Sequence, residues 1–181
     1  VEAGVCQVQG TINGIGERCG NVDLTTIIAN LELKYGFKCL PEGRLQGLTR
    51  LSRKVWETLA FDGPLGQPYV GGSAFAHKGG LHVSAVEKDP RTYEHIEPGL
   101  VGNHRHVVVS DQAGRSNILA RFRELGIDVD DDDPKINRLV EVVKEREFYG
   151  YAYDGAEASF ELLARGEMGS VPEYFQCASF R

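Results

Sequence analysis

Residues Val5–Leu24 read VCQVQGTINGIGERCGNVDL, and this stretch decides what kind of fold the chain begins with. Val5–Thr11 alternates polar and apolar residues and is rich in Val, which predicts a strand. A glycine-rich turn follows, and a helical stripe of apolar residues then runs as far as Gly36, a residue typical of helix ends: Leu24, Ile27, Ile28 and Leu31. Strand, turn and helix make one α/β unit, which cannot cover both of its own faces. We therefore expect residues 1–36 to need packing partners beyond this chain.

The next segments favour helices joined by loops. Leu48, Leu51, Val55 and Leu59 have the spacing of an amphipathic helix that ends near Asp62. Gly63–Gly80 is rich in glycine and proline and predicts a loop, and Leu81–Val86 predicts a short helix.

The last third of the chain predicts one more strand and three more helices. Arg105–Ser110 has the composition of a strand, and a helix capped by Ser116 or Asn117 follows it. Asp133 and Pro134 have the pattern of an N-cap followed by proline at the first helical position, and a final helix is predicted from Ala156 to Arg165, ending at Gly166. The pattern as a whole predicts a mainly helical α+β fold.

Composition excludes several classes of partner. The 181 residues carry a formal net charge of −6, so they offer no basic surface for nucleic acid. No apolar run has the length of a membrane span, and no signal peptide is evident. The four cysteines are widely separated, as in reduced cytoplasmic proteins: Cys6, Cys19, Cys39 and Cys177. We expect a cytoplasmic protein that binds small molecules or other proteins. We also expect the chain to be a segment of a longer protein.

Two familiar motifs fail on spacing. The acidic run from Asp128 to Asp133 lacks the glycine that an EF-hand needs at its sixth position, so a solvated helix start is favoured over a calcium loop. In GIGERCG the third glycine comes one residue late for a dinucleotide fingerprint.

Polar residues within the glycine turn are the first candidates for a site. Side chains that follow a strand often line ligand sites in α/β folds. Asn21 is typical either of a helix N-cap or of an oxygen ligand for a hard divalent cation. Glu17 and Arg18 could be site residues or simply an ion pair between neighbours, and their role stays open.

Two histidines in the loop GSAFAHKGGLHVSAV, residues 72–86, are the second candidates. His77 and His82 are five residues apart, which is wrong for the i, i+4 metal pair of a helix. Either could be a structural loop residue or, if another domain or chain covers it, a general acid or base. The glycine pair between them, Gly79 and Gly80, is expected to let the loop bend.

Taken together, two long blocks resemble the family of 2-isopropylmalate, homocitrate and citramalate synthases. The blocks are QVQGTINGIGERCGNVDL, residues 7–24, and SAFAHKGGLHVSAVEKDPRTYEHIEPGLVGN, residues 73–103. The resemblance implies condensation of acetyl-CoA with a 2-oxo acid on a divalent metal (Mg, Mn or Zn) in a TIM barrel. The second block, with GRSNIL and AEASFELL further on, most resembles the members of the family that use pyruvate, and this resemblance implies pyruvate as the oxo acid and a role in isoleucine biosynthesis. 2-Oxoisovalerate and 2-oxoglutarate remain the alternatives.

The same resemblance implies a division of the chain. Residues 1–36 would be the last strand and helix of the barrel, residues 37–103 and 104–172 two linker subdomains, and residues 173–181 the start of a regulatory domain.

The resemblance also implies roles for particular residues. Asn21 matches a metal ligand, and Thr11 matches a residue that contacts the oxo acid or its product. His82 and Tyr93 match catalytic residues that reach into the barrel of the partner subunit in a homodimer. The family's other metal ligands and its barrel glutamate have no match in these residues, so we expect the chain alone to be inactive. An alternative of another class is a non-catalytic dimerisation and regulatory connector.

Overall fold

The computed structural model describes residues 1–109, 113–171 and 179, which belong to two compact units. Unit 1 comprises Val1–Ala76 and Glu94–His106, and unit 2 comprises His77–Tyr93 and the chain from Val107 onward. The predicted regulatory segment falls almost entirely outside the described residues, and the predicted subdomain boundaries stay predictions.

Helices dominate both units, which confirms the mainly helical α+β class. The helices are α1 (Leu24–Leu33), α2 (Leu48–Thr58), α3 (Gly80–Lys88), α4 (Arg115–Glu124), α5 (Pro134–Phe148) and α6 (Glu157–Glu167). Two short strands, β1 (Ala76–His77) and β2 (His106–Val107), pair with each other. Short 3₁₀ turns cover Ile12–Gly14, Leu45–Gly47, Pro90–Thr92 and Pro98–Val101.

The strand predicted over Val5–Thr11 is wrong. Residues 5–10 have no strand conformation, and Thr11 forms a single isolated bridge with Asp23. A strand is stable only beside a second strand that takes up its backbone hydrogen bonds, and among the described residues none lies along residues 5–10. The alternating pattern is therefore present without the pairing that would make it a strand.

Helix α1 forms over the predicted segment but ends before the predicted residue. Its last residue is Leu33 and its C-cap is Lys34, so Gly36 lies beyond the C′ position. Gly36 has a φ of +73°, and the amide of Phe37 donates to the carbonyl of Leu31 at 2.9 Å, which closes the turn after the helix.

Helix α2 also forms, but only part of its predicted apolar stripe is buried. Leu48 is buried and Leu51 and Leu59 are exposed, whereas the polar residues Thr49 and Ser52 are buried. The Thr49 hydroxyl donates to the carbonyl of Val101 at 2.8 Å, so the buried side of this helix is held by polar contacts. The core of unit 1 lies beside it: Ala29, Leu48, Tyr69, Val70, Phe75 and Val101.

Unit 2 has the larger apolar core, formed by α4, α5 and α6. Its fully buried members include Ile118, Phe122, Ile136, Leu139, Val143 and Phe160. The predicted start of α5 is confirmed, because the Asp133 carboxylate accepts from the amide of Lys135 at 2.8 Å.

Three local predictions in this half need correction. Gly114, not Ser116 or Asn117, occupies the N-cap position of α4. Gly166 lies within the last turn of helix α6, which continues to Glu167. The helix is followed by Gly169, whose φ is +76°. The strand predicted over Arg105–Ser110 is limited to His106–Val107, and Ser110 lies outside the described residues.

In the part of the chain that the structure describes, no helix combines the length and the apolar character needed to cross a bilayer.

Candidate active site

The glycine turn brings Thr11 and Asn21 onto one carbonyl group. The Thr11 hydroxyl donates to the carbonyl of Ile15 at 2.6 Å, and the Asn21 side-chain amide donates to the same oxygen at 3.1 Å. The amide of Thr11 also donates to Val22 at 3.0 Å. The two predicted site residues of unit 1 are therefore neighbours in a cross-linked turn.

Asn21 is not the N-cap of α1. That position belongs to Asp23, whose carboxylate accepts from the amide of Thr25 at 2.9 Å. Since the amide nitrogen of Asn21 is committed to Ile15, its Oδ1 oxygen is the ligand atom that this side chain can offer.

Glycines make the turn this tight. A Cβ atom at Gly16 would lie 2.2 Å from Nδ2 of Asn21, and one at Gly20 would lie 2.4 Å from the carbonyl oxygen of Gly14. Gly20 also has a φ of +87°, which side chains disfavour. The spacing that fails as a dinucleotide fingerprint thus serves close backbone packing around Asn21.

A polar network behind the turn was not predicted from the sequence. Asn13, at a φ of +62°, accepts from the Ser52 hydroxyl at 2.6 Å and from the Gln67 side chain at 3.1 Å. Gln67 also donates toward Asp23 at 3.2 Å and accepts from the Trp56 indole at 3.1 Å. The Asn-Gly pair at residues 13–14 indicated a turn, but no sequence signal indicated partners about 40 and 54 positions along the chain.

Glu17 and Arg18 form no ion pair with each other among the described residues. Arg18 has a φ of +58°, an uncommon backbone conformation that fits its place in the tight turn.

In unit 2 the structure brings His82 and Tyr93 together. Their ring centroids are 4.2 Å apart and the ring planes are inclined by 32°. His82 lies in the first turn of α3, and Tyr93 follows the 3₁₀ turn Pro90–Thr92. Both side chains are exposed, so both polar ring atoms can reach a bound molecule.

His77 is placed differently. It is buried in strand β1, and its carbonyl accepts from the amide of Val108 at 2.9 Å. This environment agrees with a structural role for His77 and separates it from the exposed His82.

A buried ion pair lies next to Tyr93 in the sequence. The Arg105 guanidinium donates to both carboxylate oxygens of Glu94, at 2.6 and 2.5 Å, and the Glu94 side chain is 3% exposed. Hydrogen bonding to Glu94 raises the pKa of Arg105. Next to Glu94, partial burial and the charge of Lys34 lower the pKa of His95, whose ring packs on Tyr69 at 5.3 Å.

The described residues fit a divalent metal only in part. Asn21 supplies one hard oxygen, but no group of three or more His, Cys, Asp or Glu side chains converges anywhere among these residues. Further ligands would have to come from elsewhere.

Two family models match the chain, in consecutive segments. Residues 1–55 match HMGL-like, and residues 69–147 match the homocitrate synthase post-HMGL domain-like family. The first segment holds Thr11 and Asn21, and the second holds His82 and Tyr93.

Curated relatives agree with these matches. The chain is 51% identical over all its 181 residues to an (R)-citramalate synthase from Aquifex aeolicus and 52% identical to one from Streptomyces coelicolor, and it covers 34% of each. A homocitrate synthase from Methanopyrus kandleri is 42% identical over 73% of the chain, which covers 33% of that protein. The chain thus spans about a third of the length of the curated relatives it matches. Along its length the chain is similar to members of the family of 2-isopropylmalate, homocitrate and citramalate synthases.

Proposed function

We propose that the protein containing this chain condenses acetyl-CoA with pyruvate to give citramalate and CoA, as a step of isoleucine biosynthesis. The observation that carries the proposal is the His82–Tyr93 pair, two exposed polar rings 4.2 Å apart at the positions that the family resemblance marks as catalytic. The high identity to proteins named (R)-citramalate synthase supports pyruvate over the other oxo acids.

The reaction forms a bond between the acetyl methyl carbon and the ketone carbon of the oxo acid. The methyl group loses a proton, the ketone oxygen becomes an alkoxide that takes up a proton, and water then cleaves the thioester. We assign His82 and Tyr93 to the alkoxide, because an imidazole N–H and a phenol O–H can donate hydrogen bonds to the developing charge and return a proton to it.

Asn21 and Thr11 serve the oxo acid in this proposal. Asn21 Oδ1 is one metal ligand, held in orientation by the bond from its amide to Ile15. Polarisation of the ketone is the chemistry that a bound Mg, Mn or Zn ion supplies at such a site. Thr11, fixed on the same carbonyl of Ile15, contacts the oxo acid or its product.

The predicted subdomain layout and the homodimer with shared active sites belong to the same proposal. The exposure of His82 and Tyr93 supports it, because a pair that acts on substrate held by another subunit must project from its own. Since Asn21 is the one metal ligand assigned in this chain, we expect the 181 residues alone to release no CoA from acetyl-CoA.

The test is thiol release by the full-length product of the gene, measured with acetyl-CoA and a panel of 2-oxo acids, with and without added Mg²⁺ or Mn²⁺. We expect turnover with pyruvate that chelation abolishes and metal restores. Turnover with 2-oxoisovalerate but none with pyruvate would overturn the substrate assignment, and metal-independent turnover would overturn the role of Asn21.

A further inference from the structure

A fully buried asparagine lies behind the loop that carries His82. Asn117, on the first turn of α4, is 0% exposed. Its side-chain nitrogen donates to the carbonyl of Lys78 at 2.7 Å and to that of Val108 at 3.2 Å, while its oxygen accepts from the amide of Gly114 at 3.1 Å. One side chain therefore ties together the loop before α3, the residue after β2 and the start of α4.

The loop is fitted closely against this asparagine. A Cβ atom at Gly80 would lie 3.3 Å from the Asn117 side-chain oxygen, and the Ser116 hydroxyl donates to the carbonyl of Gly80 at 3.2 Å. Gly79 has an ordinary φ of −73°, which residues with side chains also adopt. At Gly80 the missing side chain lets the loop lie close to Asn117, and the expected bending of the loop stays a prediction.

His82 depends on the backbone that Asn117 holds. A Cβ atom at Gly79 would lie 3.9 Å from the imidazole carbon Cγ of His82, so the ring lies over the residue next to Lys78. The first hydrogen bond of α3 also starts here, from the amide of Val83 to the carbonyl of Gly79 at 3.0 Å. Displacement of the Lys78–Gly80 backbone would therefore move the imidazole away from Tyr93.

We propose that Asn117 is a positioning residue that fixes the loop before α3 and so presents His82 beside Tyr93 for catalysis. The inference rests on the proposed function, because it acts through the catalytic role of His82. A buried amide whose three hydrogen bonds all go to backbone groups cannot be replaced by alanine without removing one hydrogen-bond partner from each of those groups.

The test is a double-mutant cycle in the full-length protein, with kcat measured for wild type, N117A, H82A and the double variant. If Asn117 acts through His82, N117A lowers kcat about tenfold in the wild-type background and less than twofold in the His82→Ala background. The KM for the oxo acid stays within about threefold of wild type in N117A, because the substrate-binding residues are elsewhere. An equal loss in both backgrounds would contradict the proposal, as would an unchanged kcat in N117A.

Two further variants guard against a simple loss of folding. Val143→Ala removes a fully buried side chain of the unit 2 core that is not part of this loop. It is expected to lower the denaturation midpoint with kcat unchanged. Ser116→Ala removes only the bond to Gly80 and is expected to show the N117A pattern at smaller size, about twofold. If N117A does not fold, an unchanged kcat in Ser116→Ala would overturn the proposal.

The double-mutant cycle distinguishes a failure of the proposed catalytic role of His82 from a failure of the positioning role of Asn117. Wild-type turnover in H82A would remove the catalytic role of His82 and, with it, both the proposed mechanism and this inference. A severe loss in H82A together with additive behaviour of N117A would leave the mechanism standing and overturn the inference alone.

Discussion

At the scale of single residues, the sequence proposes candidate site residues but does not show which contacts hold them in place. His82 and Tyr93 could be named from a motif, whereas no sequence pattern singled out Glu94, the residue after Tyr93. Only the structure shows that the Glu94 side chain is buried and forms a bidentate contact with Arg105, because this partner is 11 positions away along the chain. A pairing at that distance has no periodic signal in the sequence.

The Glu94–Arg105 pair provides the residue-scale prediction. Arg105→Met leaves a carboxylate that is 3% exposed without its guanidinium, and Arg105 itself is 35% exposed. We expect the free energy of unfolding to fall by about 2–3 kcal/mol, below the range for fully buried pairs because solvent still reaches the arginine. Urea denaturation of the full-length protein measures the change.

A matched control lies nearby. Arg91 forms an exposed pair with Asp89, with side-chain exposures of 88% and 41%. Arg91→Met is expected to leave the denaturation midpoint unchanged, since exposed pairs contribute little. Equal midpoints for the Arg105 and Arg91 variants would refute a stabilising role for the buried pair.

At the scale of elements, helices were predicted well and strands poorly. Apolar periodicity or an N-cap marks the segments that form α1, α2 and α5, and such local signals do not require a distant partner. A strand depends on a neighbour that its own residues do not specify, so Val5–Thr11 could not be settled by its alternation alone. Helix α2 adds that a correct helix prediction does not fix which face is buried.

Gln67 provides the element-scale prediction, because its side chain joins the glycine turn, the start of α1 and helix α2. Gln67→Leu keeps the approximate size of the side chain but leaves the Trp56 indole and the Asn13 oxygen each without one partner. We expect a loss of about 1–3 kcal/mol in unfolding free energy. The measurement is a urea or thermal melt of the full-length protein.

Gln46→Leu is the control for this change, since Gln46 is an exposed glutamine in the same unit. The denaturation midpoint of this control should equal that of the wild type. If the midpoint of Gln67→Leu also equals that of the wild type, the polar network does not stabilise the turn.

At the scale of the whole molecule, the family resemblance predicted more than the periodicity did. The matched segments 1–55 and 69–147 contain the blocks 7–24 and 73–103, which carry Thr11, Asn21, His82 and Tyr93. Hydrophobic periodicity could not have linked these two blocks, because a repeat of apolar residues indicates only local packing. A motif of polar residues can instead indicate a shared functional site.

The central claim is that His82 does chemistry rather than binding. Its most direct test is steady-state kinetics of His82→Ala in the full-length protein with saturating acetyl-CoA and varied pyruvate. Leu81→Ala serves as the control, because Leu81 is the adjacent residue on α3 and is 78% exposed. We predict that kcat falls by about 10²- to 10⁴-fold in His82→Ala with KM for pyruvate within about threefold, and that Leu81→Ala stays at wild-type values. A raised KM with kcat unchanged in His82→Ala would contradict the account.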